Sequence, residues 1–251
     1  MSGELGHWRW SRGQAHAVFT SRQPGNIGAH VGDDPACVLA NRAAVAELAG
    51  LDADAIAGVD QVHGADVWLD LRRDASGVGE EVRWSLGASS IEADALVTTR
   101  AGIGVAVGVA DCMPIALAWG DAVAVVHAGW RGLAAGVLES AFAALRRAAG
   151  SAVAVADAPP TAVIGPCLRA CCLEVGEEVA ARFPSASVVR RPGAPRPFLD
   201  APADARRRLE AAGVVVDEID VCTRCDDRLF SHRGDGGTTG RQALVAWRSQ
   251  A

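Results

Sequence analysis

The sequence predicts a mixed α/β fold in a single domain, and three observations lead to it. Four short runs rich in Val, Ile and Ala follow one another between Asp94 and Val126. Segments of helical period, with caps and glycine stops, lie on both sides of them. The proline-rich stretches Pro159-Pro160 and Pro192 to Pro197 have strand-like segments continuing on each side, so they read as rigid loops rather than linkers between domains.

In chain order, Ala15 to Thr20 reads as a first strand, closed by the turn-rich Ser21-Arg22-Gln23-Pro24-Gly25-Asn26. Asp34 and Pro35 form a helix start, and Cys37 to Leu48 continues at helical period to Gly50. Gly58 to Leu69 mixes apolar residues with Gln61 and His63 and is expected as a strand with a functional edge. Arg72 to Ser90, charged and glycine-rich, is expected as a surface hairpin or loop. The central strands are Asp94 to Thr98, Val105 to Val109, Pro114 to Trp119 and Ala122 to Val126. The last three show little polar alternation, as strands buried on both faces do.

Gly129 and Gly132 punctuate the entry to a helix from about Leu133 to Ala148. Thr161 to Ile164 is a further strand, ending at Gly165-Pro166-Cys167. Glu174 to Phe183 and Pro202 to Ala212 read as helices, and Val214 to Val221 and Ala243 to Trp247 as late strands. No internal repeat is found.

Composition narrows the function. Half of the 251 residues are hydrophobic, enough for a sizeable core without disulfides. The net charge of −6 argues against sequence-independent nucleic-acid binding, but leaves room for a small anion held by arginines. No lysine occurs, which excludes Schiff-base chemistry on a lysine amine and leaves any phosphate to guanidinium forks. Met1 to Gln14 lacks the charged-then-apolar pattern of a secretory leader. The longest apolar run, Ile103 to Trp119, is broken by Gly104, Gly108, Asp111 and Pro114, so no membrane partner is expected. The chain is expected in the cytoplasm. There its seven cysteines read as thiols or ligands rather than a disulfide framework.

Three segments each end an apolar run with a metal-capable side chain: Gln61-Val62-His63-Gly64, Ala110-Asp111-Cys112-Met113-Pro114 and Val126-His127-Ala128-Gly129-Trp130-Arg131-Gly132. Two imidazoles and one thiolate are the ligand set of a catalytic zinc with an open position. Without metal, Cys112 and His127 can instead make a nucleophile–base pair, assisted by Asp111 or His63. Each residue also has a plainer reading: Cys112 as a small core residue, His63 as a surface histidine. Arg22 and Arg131 each adjoin a site segment and are candidate phosphate clamps. Cys222-Thr-Arg-Cys225 lacks a second pair, and the adjacent Cys171-Cys172 are not expected to supply it, so these read as ordinary thiols. Gly234 to Arg241 is glycine-rich without the spacing or the lysine of a P-loop.

These segments resemble the laccase-domain, or peptidoglycan-editing-factor (YfiH-like), family. His30-Val-Gly-Asp-Asp-Pro35 with Asn41-Arg42, Asp94-Ala-Leu-Val-Thr98, Ile164-Gly-Pro-Cys167, Cys171-Cys-Leu-Glu-Val-Gly176, Phe230-Ser-His-Arg-Gly-Asp235 and Thr239-Gly-Arg-Gln242 follow in the family's order, covering about 19–247. The resemblance implies a single-domain mixed-sheet sandwich with flanking helices, similar to a toxin-type cysteine-hydrolase fold. It implies zinc on His63, Cys112 and His127, in preference to copper. A multicopper oxidase holds several coppers through many histidines, often in His-x-His pairs, whereas this chain has six histidines and no such pair.

The implied activity is phosphorolysis of purine nucleosides (adenosine, inosine, guanosine, methylthioadenosine) with adenosine deamination beside it. Its small-molecule partners are then a purine nucleoside and phosphate. Cys112, His127 and Asp111 are the implied catalytic group, and Arg22, Arg131 and Asn26 the substrate and phosphate grip. One alternative is amidase-type editing of a peptidoglycan precursor by Cys112 or zinc hydroxide. Another is a non-catalytic partner protein with a relic metal site. The chain departs from the family in a shortened loop after Arg22, and in Leu173 and His232 at positions usually held by tyrosine.

Overall fold

Alternation along the central strands builds two buried faces, not one buried and one wet. The computed structural model describes residues 6–70, 78–86, 89–150 and 158–249. The chain opens with β1 (Trp8–Arg12), β2 (Ala15–Phe19), α1 (Pro35–Ala49), β3 (Ile56–Gly58) and β4 (Val67–Asp70). The centre runs β5 (Ala95–Thr98), β6 (Gly104–Val109), β7 (Met113–Trp119), β8 (Ala122–Ala128), α2 (Trp130–Ala135), α3 (Val137–Ala149) and β9 (Thr161–Ile164). It closes with α4 (Glu177–Ala180), β10 (Val188–Val189), β11 (Phe198–Leu199), α5 (Ala201–Ala211), β12 (Val215–Glu218) and β13 (Gln242–Arg248).

Two mixed sheets result, of order β1-β2-β13-β6-β3 and β12-β9-β7-β8-β5-β4, with β10 and β11 as a small separate pair. On β8, Ala122, Ala124, Val126 and Ala128 turn towards α3 and α5, while Val123 and Val125 turn towards the other sheet. Phe19, Val105, Val107 and Leu244 meet them from the five-stranded sheet. The outer face of that sheet, with Val18, Ile56, Ala106 and Val245, is covered by Val45, Ala46 and Ala49 of α1. The layers are therefore helix, sheet, sheet, helices, and the expected mixed α/β sandwich is what the chain adopts. Strands in the two inner layers are buried on both faces, which is why their sequences lack alternation.

The Asp34 carboxylate accepts from Ala36 N at 2.9 Å and Gly50 closes α1 at φ 69°, so both helix signals acted as read. Elsewhere the elements differ from expectation. The stretch from Gly58 to Leu69 is not one strand: β3 ends in one sheet, β4 begins in the other, and residues 59–66 cross between them. The helix expected over Leu133 to Ala148 starts earlier and breaks at Gly136, whose φ of 90° ends α2 before α3 begins. Only one turn of Glu174 to Phe183 is helical. Val175 N donates instead to Pro197 O at 2.9 Å, and Glu174 bridges Phe198, so that backbone is committed to sheet-like pairing.

Of the surface segment expected over Arg72 to Ser90, residues 71–77 and 87–88 lie outside the described residues. Within 78–86, Val78, Val82 and Trp84 are buried, because Trp84 packs under α1 beside the Arg42 guanidinium. The strand β1, for which the sequence carried no expectation, is amphipathic: Trp8 and Trp10 turn inward and Arg9 outward.

Candidate metal centre

The β7–β8 hairpin register decides which side chains meet. Met113 pairs with Ala128 and Pro114 with His127, so Cys112, one residue before β7, lies beside the end of β8. His63 arrives on the crossing segment. Its loop is pinned by Gln61, whose amide donates to Gly108 O at 2.9 Å and accepts from Gly108 N at 2.8 Å, as a strand neighbour would. The ligand atoms of His63, Cys112 and His127 all lie within 4.8 Å of one another. The two imidazoles stand edge to face with ring centroids 4.7 Å apart. Gly129 leaves the room: a Cβ there would sit 3.0 Å from Cys112 Sγ and 3.2 Å from His63 Cδ2.

One buried carboxylate holds both histidines. Asp94, at 0 % exposure, accepts from His63 N at 3.0 Å, from Gly64 N at 2.5 Å and from the Nδ1–H of His127 at 2.7 Å. Burial pushes its carboxyl up, but the bonds to His127, Gly64 and His63 outweigh that and leave it below the usual range. It fixes the His127 tautomer and leaves Nε2 free to bind, as the outer carboxylate of a metal-bound histidine does. Asp94 also stabilises His63 in a left-handed conformation, φ 61°. Among the described residues the non-glycine positions with positive φ are His63 and Asp111, and both line one cavity. Strained backbone of that kind collects at functional sites.

Cys112 and His127 each favour the other's charged form. Burial pushes the Cys112 thiol up, but the charge and hydrogen bonds of His127 and His63 bring it down to about 6. Burial lowers His127, but Cys112 and Asp94 raise it to about 9. A thiolate wedged between two imidazoles is a donor set poised for a cation. The residues fit a divalent metal.

The cavity encloses about 400 Å³, a size that accommodates a nucleoside-scale ligand. The trio lies in its wall with His30, His232, Arg131, Arg233 and Arg241. Among the described residues, none of these arginines has a carboxylate partner. Arg131 lies over the Trp130 ring at 4.4 Å, and the guanidinium groups of Arg233 and Arg241 donate to backbone carbonyls.

The other expected contacts are placed differently. Arg22 is not in the cavity wall: its guanidinium pairs with Asp235 at 3.0 Å and donates to Leu229 O. Asn26 is buried and spent, donating to Gly28 O and Asp33 and accepting from Gly28 N and Arg241 N. Asp111 is in the wall, but its carboxylate already accepts from Thr223 Oγ1, Ser231 Oγ and Arg233 N at 2.6–2.7 Å. Leu173 and His232 both face the cavity, so the two departures from tyrosine alter its lining. Sequence reading left Asp94 and Arg241 without roles. For Asp94 the available signal was an acid heading a strand with no polar residue before Thr98.

No described helix is long and apolar enough to cross a membrane. The multi-copper polyphenol oxidoreductase laccase family model matches residues 11–249. A purine nucleoside phosphorylase of Corynebacterium glutamicum is 34 % identical over 249 residues, covering 92 % of this chain and 93 % of that protein. The solved Neisseria meningitidis protein NMB0706 superposes with a TM-score of 0.79 at 30 % identity, covering 98 % of this chain and all of the other. YlmD of Geobacillus stearothermophilus, named a purine nucleoside phosphorylase, is 34 % identical over 253 residues, covering 95 % of this chain and 87 % of that protein. Its crystal structure gives a TM-score of 0.78 at 29 % identity over 98 % of this chain and 99 % of the other.

Proposed function

The chain belongs to the multi-copper polyphenol oxidoreductase laccase family, and on that premise we propose that it is a zinc-dependent purine nucleoside phosphorylase with adenosine deaminase activity beside it. One observation carries the reading: a metal-capable trio and three arginines without carboxylate partners share a single nucleoside-sized cavity. The names of the full-length relatives point the same way.

In phosphorolysis a phosphate oxygen bonds to the anomeric carbon of the ribose as the glycosidic bond breaks. The electron pair of that bond leaves with the purine, giving free base and ribose 1-phosphate. Arg131 and Arg241 are the phosphate grip, since both line the cavity and neither guanidinium is hydrogen-bonded to a carboxylate. Arg241 is half-buried, and that burial lowers its pKa, so an anion beside it regains what desolvation costs. Arg22 and Asn26 act at a distance, shaping the loops that carry Phe230 and Arg241. Asp111 is a positioning residue that ties β7 to the segment bearing Thr223, Ser231 and Arg233.

His63, Cys112 and His127 would hold the zinc. Three protein ligands are the number a catalytic zinc takes, and all three line the cavity. When bound, zinc supplies Lewis-acid polarisation and an activated water, the chemistry that deamination needs.

The test is incubation of purified protein with adenosine, with and without phosphate, alongside metal analysis. Phosphate-dependent adenine release is expected. Arg241→Gln and Arg131→Gln are each expected to raise KM for phosphate about tenfold, the size of one lost charge-assisted hydrogen bond at a partly open site. Cys112, His127 and Asp94 also form a nucleophile–base–orienter series, which favours the amidase as second reading. Metal-independent release of an amino acid from a peptidoglycan precursor, with no nucleoside turnover, would establish that reading instead.

A further inference from the structure

Cys222 and Cys225 do not lack a second pair, contrary to the sequence expectation: the adjacent Cys171 and Cys172 fold onto them. The four sulfurs lie within 4.8 Å of one another, with Cys172 Sγ 3.5 Å and Cys171 Sγ 3.9 Å from Cys225 Sγ. Zinc–sulfur bonds of about 2.3 Å at tetrahedral angles place sulfurs about 3.8 Å apart. None of the four cysteines lines the cavity of the His63–Cys112–His127 trio.

The backbone delivers them. Cys167 bridges Cys222 in parallel, with Cys167 N donating to Val221 O and Thr223 N to Cys167 O. A turn then brings Cys171 and Cys172 over the Cys222–Cys225 turn, which is closed by Cys225 N donating to Cys222 O at 3.1 Å. Arg191 reaches across to Ala170 O and Cys171 O, which brings positive charge to a cluster that would otherwise be anionic.

The geometry points to a second, structural metal site: Cys171, Cys172, Cys222 and Cys225 bind one zinc ion as a closed tetrathiolate. Binding converts four thiols to thiolates and releases their protons, with no redox change. The site clasps two segments that build the cavity wall. Leu168 and Leu173 flank the Cys171–Cys172 pair, and both line the cavity. Thr223 lies inside the Cys222–Cys225 turn, and Ser231 and Arg233 follow it, all three donating to Asp111. Zinc here would set the wall without touching substrate.

The test is metal stoichiometry on full-length protein purified under reducing conditions without added metal. Two zinc ions per chain are expected, falling to one in Cys112→Ala and to one in the Cys222→Ser/Cys225→Ser double variant. The double variant is expected to melt at least about 5 °C lower. Should it not fold, cobalt reconstitution of the unmodified chain decides: the charge-transfer and ligand-field bands of a four-thiolate cobalt centre are expected. Four cysteines that react freely with a thiol reagent in the native protein without metal release would overturn the proposal. So would an unchanged metal count in the double variant, or a disulfide among the four. None of these results depends on which reaction the trio performs.

Discussion

On the proposed function, a Cys112→Ala chain is expected to lose metal binding at the trio and about 10²–10⁴-fold of phosphorylase and deaminase turnover. That range corresponds to the several kcal/mol of charge stabilisation that a Lewis acid supplies. Two imidazoles remain, one of them at the cavity mouth on a loop held in a left-handed turn. They make a poor site alone, because the thiolate is the anionic member and lies between them. The fold should persist, since a cysteine-to-alanine change removes a single sulfur from the cavity wall. Metal analysis and turnover on the same preparation check this, with circular dichroism confirming the fold. Zinc retained at full occupancy with full activity would rule out Cys112 as a ligand. Chelation of the unmodified enzyme followed by readdition separates the metals: zinc, not copper, is expected to restore activity.

The parts of this site that were legible in the sequence share one property: local pattern decided them. The valine and alanine runs of β6, β7 and β8 required burial on both faces, and a strand end is where a functional side chain can leave the sheet. His127 at the end of β8 and Cys112 at the head of β7 both follow from that logic. Asp34-Pro35 and Gly50 bounded α1 because capping is local chemistry.

What pattern did not decide was long-range. Gln61 mimics a strand partner for Gly108 across 47 positions, and no periodicity announces a side chain that pairs with a backbone. Cys171 and Cys172 reach Cys225 across 54 and 53 positions, through a bridge of two residues that carries no propensity signal. Arg22 illustrates the reverse failure. Its place next to a site segment suggested phosphate, but Asp235, 213 positions away, occupies its guanidinium. Arg131 and Arg241 line the cavity and lack such a carboxylate, both facts of tertiary packing.

Asp94 sets the second large expectation. Asp94→Asn should weaken zinc binding at the trio about 10–100-fold, the usual cost of disturbing the group behind a ligand. The carboxylate accepts three hydrogen bonds, from two adjacent backbone N–H groups and one imidazole N–H, and it is wholly buried. Asparagine offers one accepting oxygen and a donating NH₂ group, so at least one N–H must face another donor in a site closed to water. If the amide oxygen takes the Oδ1 place, it keeps His127 and His63 N, but Gly64 N then faces the amide NH₂ and the left-handed turn at His63 loses that anchor. If the oxygen goes to the turn, His127 is free to rotate or change tautomer. Either arrangement removes one ligand from register, so activity at limiting zinc should fall with the affinity and largely return at saturating zinc. Calorimetric zinc titration, paired with turnover at both zinc levels, tests this. Unchanged affinity would mean that Asp94 serves the fold alone and that the two histidines are placed by β8 and the Gln61 clasp without it.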